Sequence, residues 1–393
     1  MKSNSSSVLQ AHIANQTPPV DGEPYREFQP EGSFDRVRVS IRFGNRYHYN
    51  NRNKPMNNPL NHPSYFLGID IGKETFTASL HHVASNTHQV FSGPMKTASR
   101  RILKWLHQQH VDATPMPMAL EATGVYGERL CYELFAAGCT LYVLHPTDVR
   151  RSMKHPERKS DSDDSKQIAE LIAERWRKLI VWSPNLEVVD RIKTLLAERR
   201  QIVKMTVQTK NALHAARFKR HRVRELEARD QARLDFLKTQ RMAVEQQIEA
   251  LFESDPQVKE AAAVLRSTPT VGRMLTACLI VVTNAGLRTT DSRKIASLAG
   301  IAPQPYESGN MKLNRRSSGH GDPEFRRILH MAARSGANHY EQYRAYRRKK
   351  LEEKKPALLI YNNISNRILH VACAVLASKQ PFDPNFSTHR RGG

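Results

Sequence analysis

The apolar positions of this chain change period along its length. From Tyr65 to Ile71 the run Y-F-L-G-I-D-I is apolar almost throughout and ends at Gly72. Such a short run, bounded by glycine, predicts a strand buried on both faces. Phe76–Leu80, Gln89–Gly93, Met116–Leu120 and Thr140–Leu144 are further strand candidates. Between them, Ser99–His110 puts Ile102, Leu103 and Leu106 on one helical face, and Gly127–Gly138 reads as a helix closed by a C-terminal glycine. Strands alternating with helices predict a mainly parallel sheet over residues 64–184.

From Asn185 to Asp255 there is neither Pro nor Gly. Val188, Ile192, Leu195 and Leu196, then Leu234, Leu237, Val244, Ile248 and Leu251, recur at helical spacing. Residues 185–256 are therefore expected to form an antiparallel coiled-coil arm, turning near Arg217–Arg224. Residues 264–287 read as a helix, P-T-V-G, and a second helix. This suits a helix-hairpin-helix, in which Gly272 and the amides after it grip a phosphate; an ordinary helical hairpin is the alternative. Residues 257–380 are otherwise helical and basic, with a polar loop from Pro303 to Gly321, and 381–393 read as a tail. Residues 1–63 are polar, with Val37, Val39, Ile41 and Phe43 alternating against Arg36, Arg38, Ser40 and Arg42. A disordered basic extension, one short strand, or a natural start at Met56 all fit them. The fold class is α/β plus all-α.

Charge narrows the function. Lys and Arg number 61 against 38 Asp and Glu, a formal net charge of +23 over 393 residues. Such an excess attracts polyanions, nucleic acid first among them. The tip cations Arg217, Lys219, Arg220, Arg222 and Arg224 are candidate phosphate contacts, as are Arg273, Arg315, Arg316, Arg326 and Arg327. A solvated tip is the plainer alternative for the first group. The four cysteines, Cys131, Cys139, Cys278 and Cys373, form no C-x-x-C pair and read as buried thiols. No apolar run approaches the ~20 residues of a membrane span, and the opening M-K-S-N-S-S-S lacks a signal core. The expected location is the cytoplasm, at the nucleoid.

Against this basic background four acids stand out. Asp70 interrupts a buried strand, where an ionised carboxylate costs several kcal/mol unless a metal or donor meets it. Glu121 ends a later strand, and Asp161 and Asp164 share one face of a helix capped by Ser160 or Asp161 and running to about Leu179. Asp163 points elsewhere. The G-I-D-I-G stretch alone fits a kinase phosphate hairpin, a nuclease metal strand or a plain turn. The order D…E…D-x-x-D favours the nuclease: carboxylates suit hard ions such as Mg²⁺ (or Mn²⁺), and two such ions stabilise both oxygens of a phosphoryl transfer.

The motifs resemble those of the DEDD transposases of the insertion-sequence-110 family, which include the Piv-type DNA invertases. G-I-D-I-G-K, L-E-A-T-G-V-Y (Leu120–Tyr126) and K-S-D-S-D-D-S (Lys159–Ser165) look like its acidic blocks. S-T-P-T-V-G-R (Ser267–Arg273) looks like its hairpin, S-L-A-G-I-A-P (Ser297–Pro303) like the block before its serine, and Y-E-S-G (Tyr306–Gly309) like the serine block. The resemblance implies a RuvC-like (ribonuclease H-like) domain, a coiled coil and a C-terminal transposase domain. It further implies metal ligation by Asp70, Glu121, Asp161 and Asp164, a nucleophilic Ser308, a structured guide RNA, and DNA as substrate. Asn310 stands where the family often has Gly, and Ser165 where Ala is usual.

A serine attacking a phosphodiester conserves the bond energy in a phosphoserine, so strands can be exchanged without an external energy source. Ser317 and Ser318 are rivals better suited to phosphate contact or a turn. The expected protein is a DNA recombinase working as a homo-oligomer. The alternatives are a junction-resolving nuclease that uses water, and a non-catalytic nucleic-acid scaffold.

Overall fold

The computed structural model describes residues 63–122, 124–152, 160–302, 307–308, 311–312 and 321–384. The expected N-terminal extension, Arg315, Arg316, Ser317, Ser318 and most of the tail lie outside them.

Five strands open the described chain: β1 (Tyr65–Ile71), β2 (Thr75–His82), β3 (Thr87–Pro94), β4 (Pro117–Glu121) and β5 (Thr140–Leu144). They form one sheet in the order β3-β2-β1-β4-β5. β1–β2 and β2–β3 are antiparallel, while β1–β4 and β4–β5 are parallel. The sheet is thus mixed, which corrects the expectation of a mainly parallel one. The reason is connection length. Only residues 72–74 and 83–86 join the first three strands, and such short links permit hairpins but not crossovers. Helices separate the later strands: α1 (Ala98–Gln108), α2 (Glu128–Ala136), α3 (Pro146–Ser152) and α4 (Asp161–Arg175).

Strand alternation distributes β1 between two cores. Leu67, Ile69 and Ile71 pack with Ile102 and Leu106 of α1 and Leu130 and Leu134 of α2. Phe66 faces the other way, into a core with Ala119, Tyr142 and the α4 residues Ile168, Leu171 and Ile172.

The rest is helical. α5 (Glu187–Arg217) and α6 (Arg224–Glu253) are 31 and 30 residues long and pack on each other as a hairpin. Residues 218–223 join them where the turn is expected. α7 (Pro256–Ser267), α8 (Arg273–Thr283), α9 (Ser292–Leu298), α10 (Pro323–His339), α11 (Glu341–Glu352) and α12 (Ala357–Ser378) follow. One buried cluster runs through both parts: Val189, Ile192, Ile248 and Phe252 of the hairpin's base share it with Leu265, Leu279, Leu329 and Leu369. Polar contacts fasten the same junction. Arg199 Nε donates to Glu245 at 2.7 Å, and Arg200 Nη2 to Asp322 at 2.9 Å. Asp322 also caps α10, accepting from the Glu324 and Phe325 N–H groups at 2.8 and 3.2 Å. Between α9 and α10, β6 (Glu307–Ser308) pairs with β7 (Met311–Lys312) in register Ser308–Met311.

Candidate active site

Phe66, Gly68 and Asp70 lie on the face of β1 that carries α4, because strand side chains alternate. Gly68 explains how close that helix comes. A Cβ added there would stand 2.2 Å from the Ser165 carbonyl oxygen and 2.3 Å from the Ala169 nitrogen. Only a residue without a side chain admits the α4 backbone, as the glycine suggested. Ser165 is itself fully buried, its hydroxyl donating to the Ser162 carbonyl at 2.9 Å.

The same approach sets the start of α4 beside the end of β1. Ser160 caps the helix, its hydroxyl accepting from the Asp163 N–H at 3.2 Å, and Asp161, Asp163 and Asp164 occupy the first turn. Carboxylates are favoured there by the helix's positive end. On the neighbouring parallel strand, Gly68 pairs with Ala119 and Ile69 with Leu120. Ala119 faces the α4 core, so Glu121, two residues on, lies on the same face. Asp163 is turned away, receiving the Ser160 hydroxyl at 2.8 Å and standing 3.7 Å from the Lys166 ammonium.

Electrostatics ties the four acids together. The Asp70 carboxyl is pushed up to about 6 from its ordinary 3.8. Burial is the largest cause, followed by the charges of Asp164 and Asp161; a bond from the Ile71 backbone opposes them, and Glu121 adds a smaller push. Among the described residues, no three carboxylate, imidazole or thiol groups converge closely enough to enclose an ion. The acids therefore share one field without forming a finished cage. Their donors are all oxygens, the set that a hard divalent cation takes, and such an ion would relieve the mutual repulsion.

The remaining sequence candidates divide. At the hairpin tip Arg217, Lys219, Arg220, Arg222 and Arg224 are all exposed. Arg222 is already engaged, donating to both Glu227 carboxylate oxygens at 2.8 and 2.6 Å. Arg273 lies 2.9 Å from Glu249, which also takes two bonds from Arg266. Arg327 donates twice to Glu324, at 2.8 and 2.6 Å. Gly272 precedes α8 with φ −86° and open space around its Cα, so no steric demand requires glycine there. The left-handed residue of that turn is Thr270, at φ 71°. Arg293, Tyr346, Arg367 and His370, which were not sequence candidates, line a cleft among the C-terminal helices. No local motif marks them.

Two family models match the chain. One, described as a transposase of the DEDD IS110 type, matches residues 67–217. The other, the transposase IS116/IS110/IS902 family, matches residues 262–348. The chain belongs to the IS110 family of DEDD transposases. The transposase's first matched segment contains all four acids, and its second contains Ser308. It is similar to the pilin gene-inverting proteins of Moraxella bovis and Moraxella lacunata, each 26% identical over 81% of this chain and 97% of the relative. Among solved structures, Thermus thermophilus RuvC in complex with Holliday junction substrate is similar over 30% of this transposase and 100% of that chain, at 16% identity and a TM-score of 0.22.

Proposed function

We propose that this transposase is a site-specific DNA recombinase in which Asp70, Glu121, Asp161 and Asp164 hold Mg²⁺ (or Mn²⁺) and Ser308 is the nucleophile. The observation that carries the reading is the Asp70 carboxyl, raised to about 6 by burial and by three other acids within a chain of net charge +23. A basic nucleic-acid-binding protein that keeps four carboxylates in one field has a use for a cation there. Bound among them, a divalent ion supplies charge neutralisation and polarisation at the scissile phosphate.

The protein's own residues do the rest. Gly68 holds α4 against β1, which keeps Asp161 and Asp164 beside Asp70. The Ser308 hydroxyl gives up its proton, and its oxygen bonds to phosphorus as the bond from phosphorus to the deoxyribose oxygen breaks. The leaving oxygen takes a proton, and the phosphoserine retains the energy needed to rejoin strands. Relatives named for gene inversion support rejoining as well as cutting, because an inversion must reseal every strand it opens. The strong positive charge supports a structured guide RNA as a second polyanion alongside DNA, and joining two duplexes calls for paired active sites, which a homo-oligomer supplies. The hairpin of α5 and α6 is the reading's coiled-coil arm, and the α7–α8 turn its helix-hairpin-helix.

Asp164→Asn tests this. Strand cleavage with Mg²⁺ should disappear while RNA binding stays near the parental level. Cleavage at the parental rate would remove Asp164 from the site. Denaturing gels of reactions with the parental chain should show a protein–DNA adduct that Ser308→Ala does not form; free cleaved DNA with no adduct would favour hydrolysis by water.

A further inference from the structure

We propose that a cleft among the C-terminal helices holds an unpaired nucleic-acid strand, at a site separate from the four acids. The proposal rests on the recombinase reading, since recombination is what opens duplexes near this protein. The cleft has a volume of about 1570 Å³ and is lined mainly by α9, α10 and α12. That exceeds the roughly 300–1,000 Å³ of a small-molecule pocket.

Its charge is one-sided. Arg293, Arg326, Arg327 and Arg367 line it together with two histidines, and no carboxylate among the described residues does. Arg327 is partly neutralised by Glu324, which lies behind it. Arg293 and Arg367 enter no ion pair among the described residues. These two, on different helices, are the cations best placed to take phosphates.

The cleft also offers surfaces for bases. The Arg367 guanidinium lies 3.9 Å from the centroid of the Tyr346 ring, and Asn363 Nδ2 donates to the Tyr346 hydroxyl at 3.0 Å. Together they form a flat platform fixed before any ligand arrives. At the rim Leu358 is 73% exposed, an apolar surface with nothing to cover it among the described residues. Asn362 and Asn366 use their amide N–H groups within the protein, on the carbonyls of Ile301 and Asn362 at 3.2 and 3.0 Å. Their side-chain oxygens are left as acceptors of the kind that read base edges.

This combination selects among polyanions. A free phosphate needs cations but no apolar rim. A duplex offers phosphates but hides its base faces in its stack. An unpaired strand presents phosphates and base faces together, and cationic grooves with aromatic or apolar shelves are how proteins hold such strands.

The full chain in EDTA, titrated with fluorescent oligothymidylate, oligouridylate and a blunt duplex, tests the proposal. Replacing both Arg293→Gln and Arg367→Gln should weaken single-strand binding about tenfold and lower the log–log salt slope by about 1.4, at ~0.7 per phosphate. Duplex binding should be unchanged. Leu358→Ser, a surface change that leaves every charge in place, should weaken single-strand binding several-fold without altering the slope. Loss confined to oligothymidylate assigns the cleft to a DNA strand, and loss confined to oligouridylate assigns it to RNA. Parental affinity for both oligonucleotides overturns the proposal, and so does an equal loss on the duplex. The Asp164→Asn cleavage assay keeps the two readings apart. If cleft variants bind normally while Asp164→Asn loses cleavage, the cleft fails and the recombinase stands. If Asp164→Asn still cleaves while the cleft variants lose strand binding, the metal site fails and the cleft remains.

Discussion

Asp70 carries its information in a titration. With its carboxyl raised to about 6 by burial, Asp164 and Asp161, the metal-free protein holds a proton there over a wider range than an ordinary aspartate. A cation must displace that proton, so Mg²⁺ affinity should fall as pH drops through about 6 and level off above it. The sign for stability runs the opposite way: Asp70's favourable contribution is complete below 3.8 and is lost as pH rises through about 6. Asp164→Asn removes one repelling charge, so the Asp70 carboxyl should titrate lower in that variant, as followed by carbon NMR. An unmoved titration would mean that the two groups do not share a field. Gly68 makes the second residue-scale prediction. In Gly68→Ala the new methyl meets backbone rather than a flexible side-chain end. The α4 helix must retreat, at a cost of about 1–3 kcal/mol. Denaturant unfolding should register the loss, and Mg²⁺-dependent cleavage should fall further than stability alone explains. The four acids stood out in the sequence as candidates, Asp70 and Glu121 because they interrupt and end apolar strands, Asp161 and Asp164 because they open a helix three residues apart. Gly68 was legible only as a close approach; that the visitor is the α4 backbone, a hundred residues away, needed the fold.

At the scale of elements, local signals decided what could be read. The hairpin of α5 and α6 was visible because a long stretch without Pro or Gly has few other outcomes. The first three strands were visible as strands, but their antiparallel pairing was not. Gly72–Glu74 and Val83–Asn86 carry none of the Asn-Gly or Asp-Gly turns that announce a hairpin. The α4 helix stops at Arg175, short of the expected Leu179, where a single 3₁₀ turn over Trp176–Lys178 takes over. The hairpin tip yields a prediction graded by ion pairing. Arg220→Glu should flatten the salt dependence of duplex binding by about 0.9, one phosphate contact. Arg222→Glu should do less, because Glu227 already occupies that guanidinium. Equal effects, or none, would make the tip a solvated turn.

For the whole molecule, the question is whether Ser308 acts beside the acids of its own chain or those of another. The α5 helix alone spans about 45 Å at 1.5 Å per residue, a length suited to reaching a partner. Mixing Ser308→Ala with Asp70→Asn chains should restore partial recombination, with DNA attached only to the Asp70→Asn chain. A mixture that co-assembles and stays inactive would place the whole site within one chain. Arg326 and Arg327 were candidates from the sequence, but the cleft they line was not legible because its parts are scattered, from Arg293 on α9 to His370 on α12.

The buried cluster that joins the hairpin's base to the C-terminal helices bears on how such proteins can be rebuilt. By length and composition residues 185–256 look like a cassette, ready to be exchanged between relatives to alter what the tip contacts. Yet Val189, Ile192, Ile248 and Phe252 belong to the same core as Leu265, Leu329 and Leu369, and Arg200 is bonded to the cap of α10. A graft cut at those borders would bring half of an interface into a foreign other half. The portable piece is smaller: the outer part of the hairpin, beyond Ile202 and Leu237, clear of that cluster and of the Arg199 and Arg200 ion pairs. A chimera joined there should fold, and one joined at the borders of the apparent cassette should not.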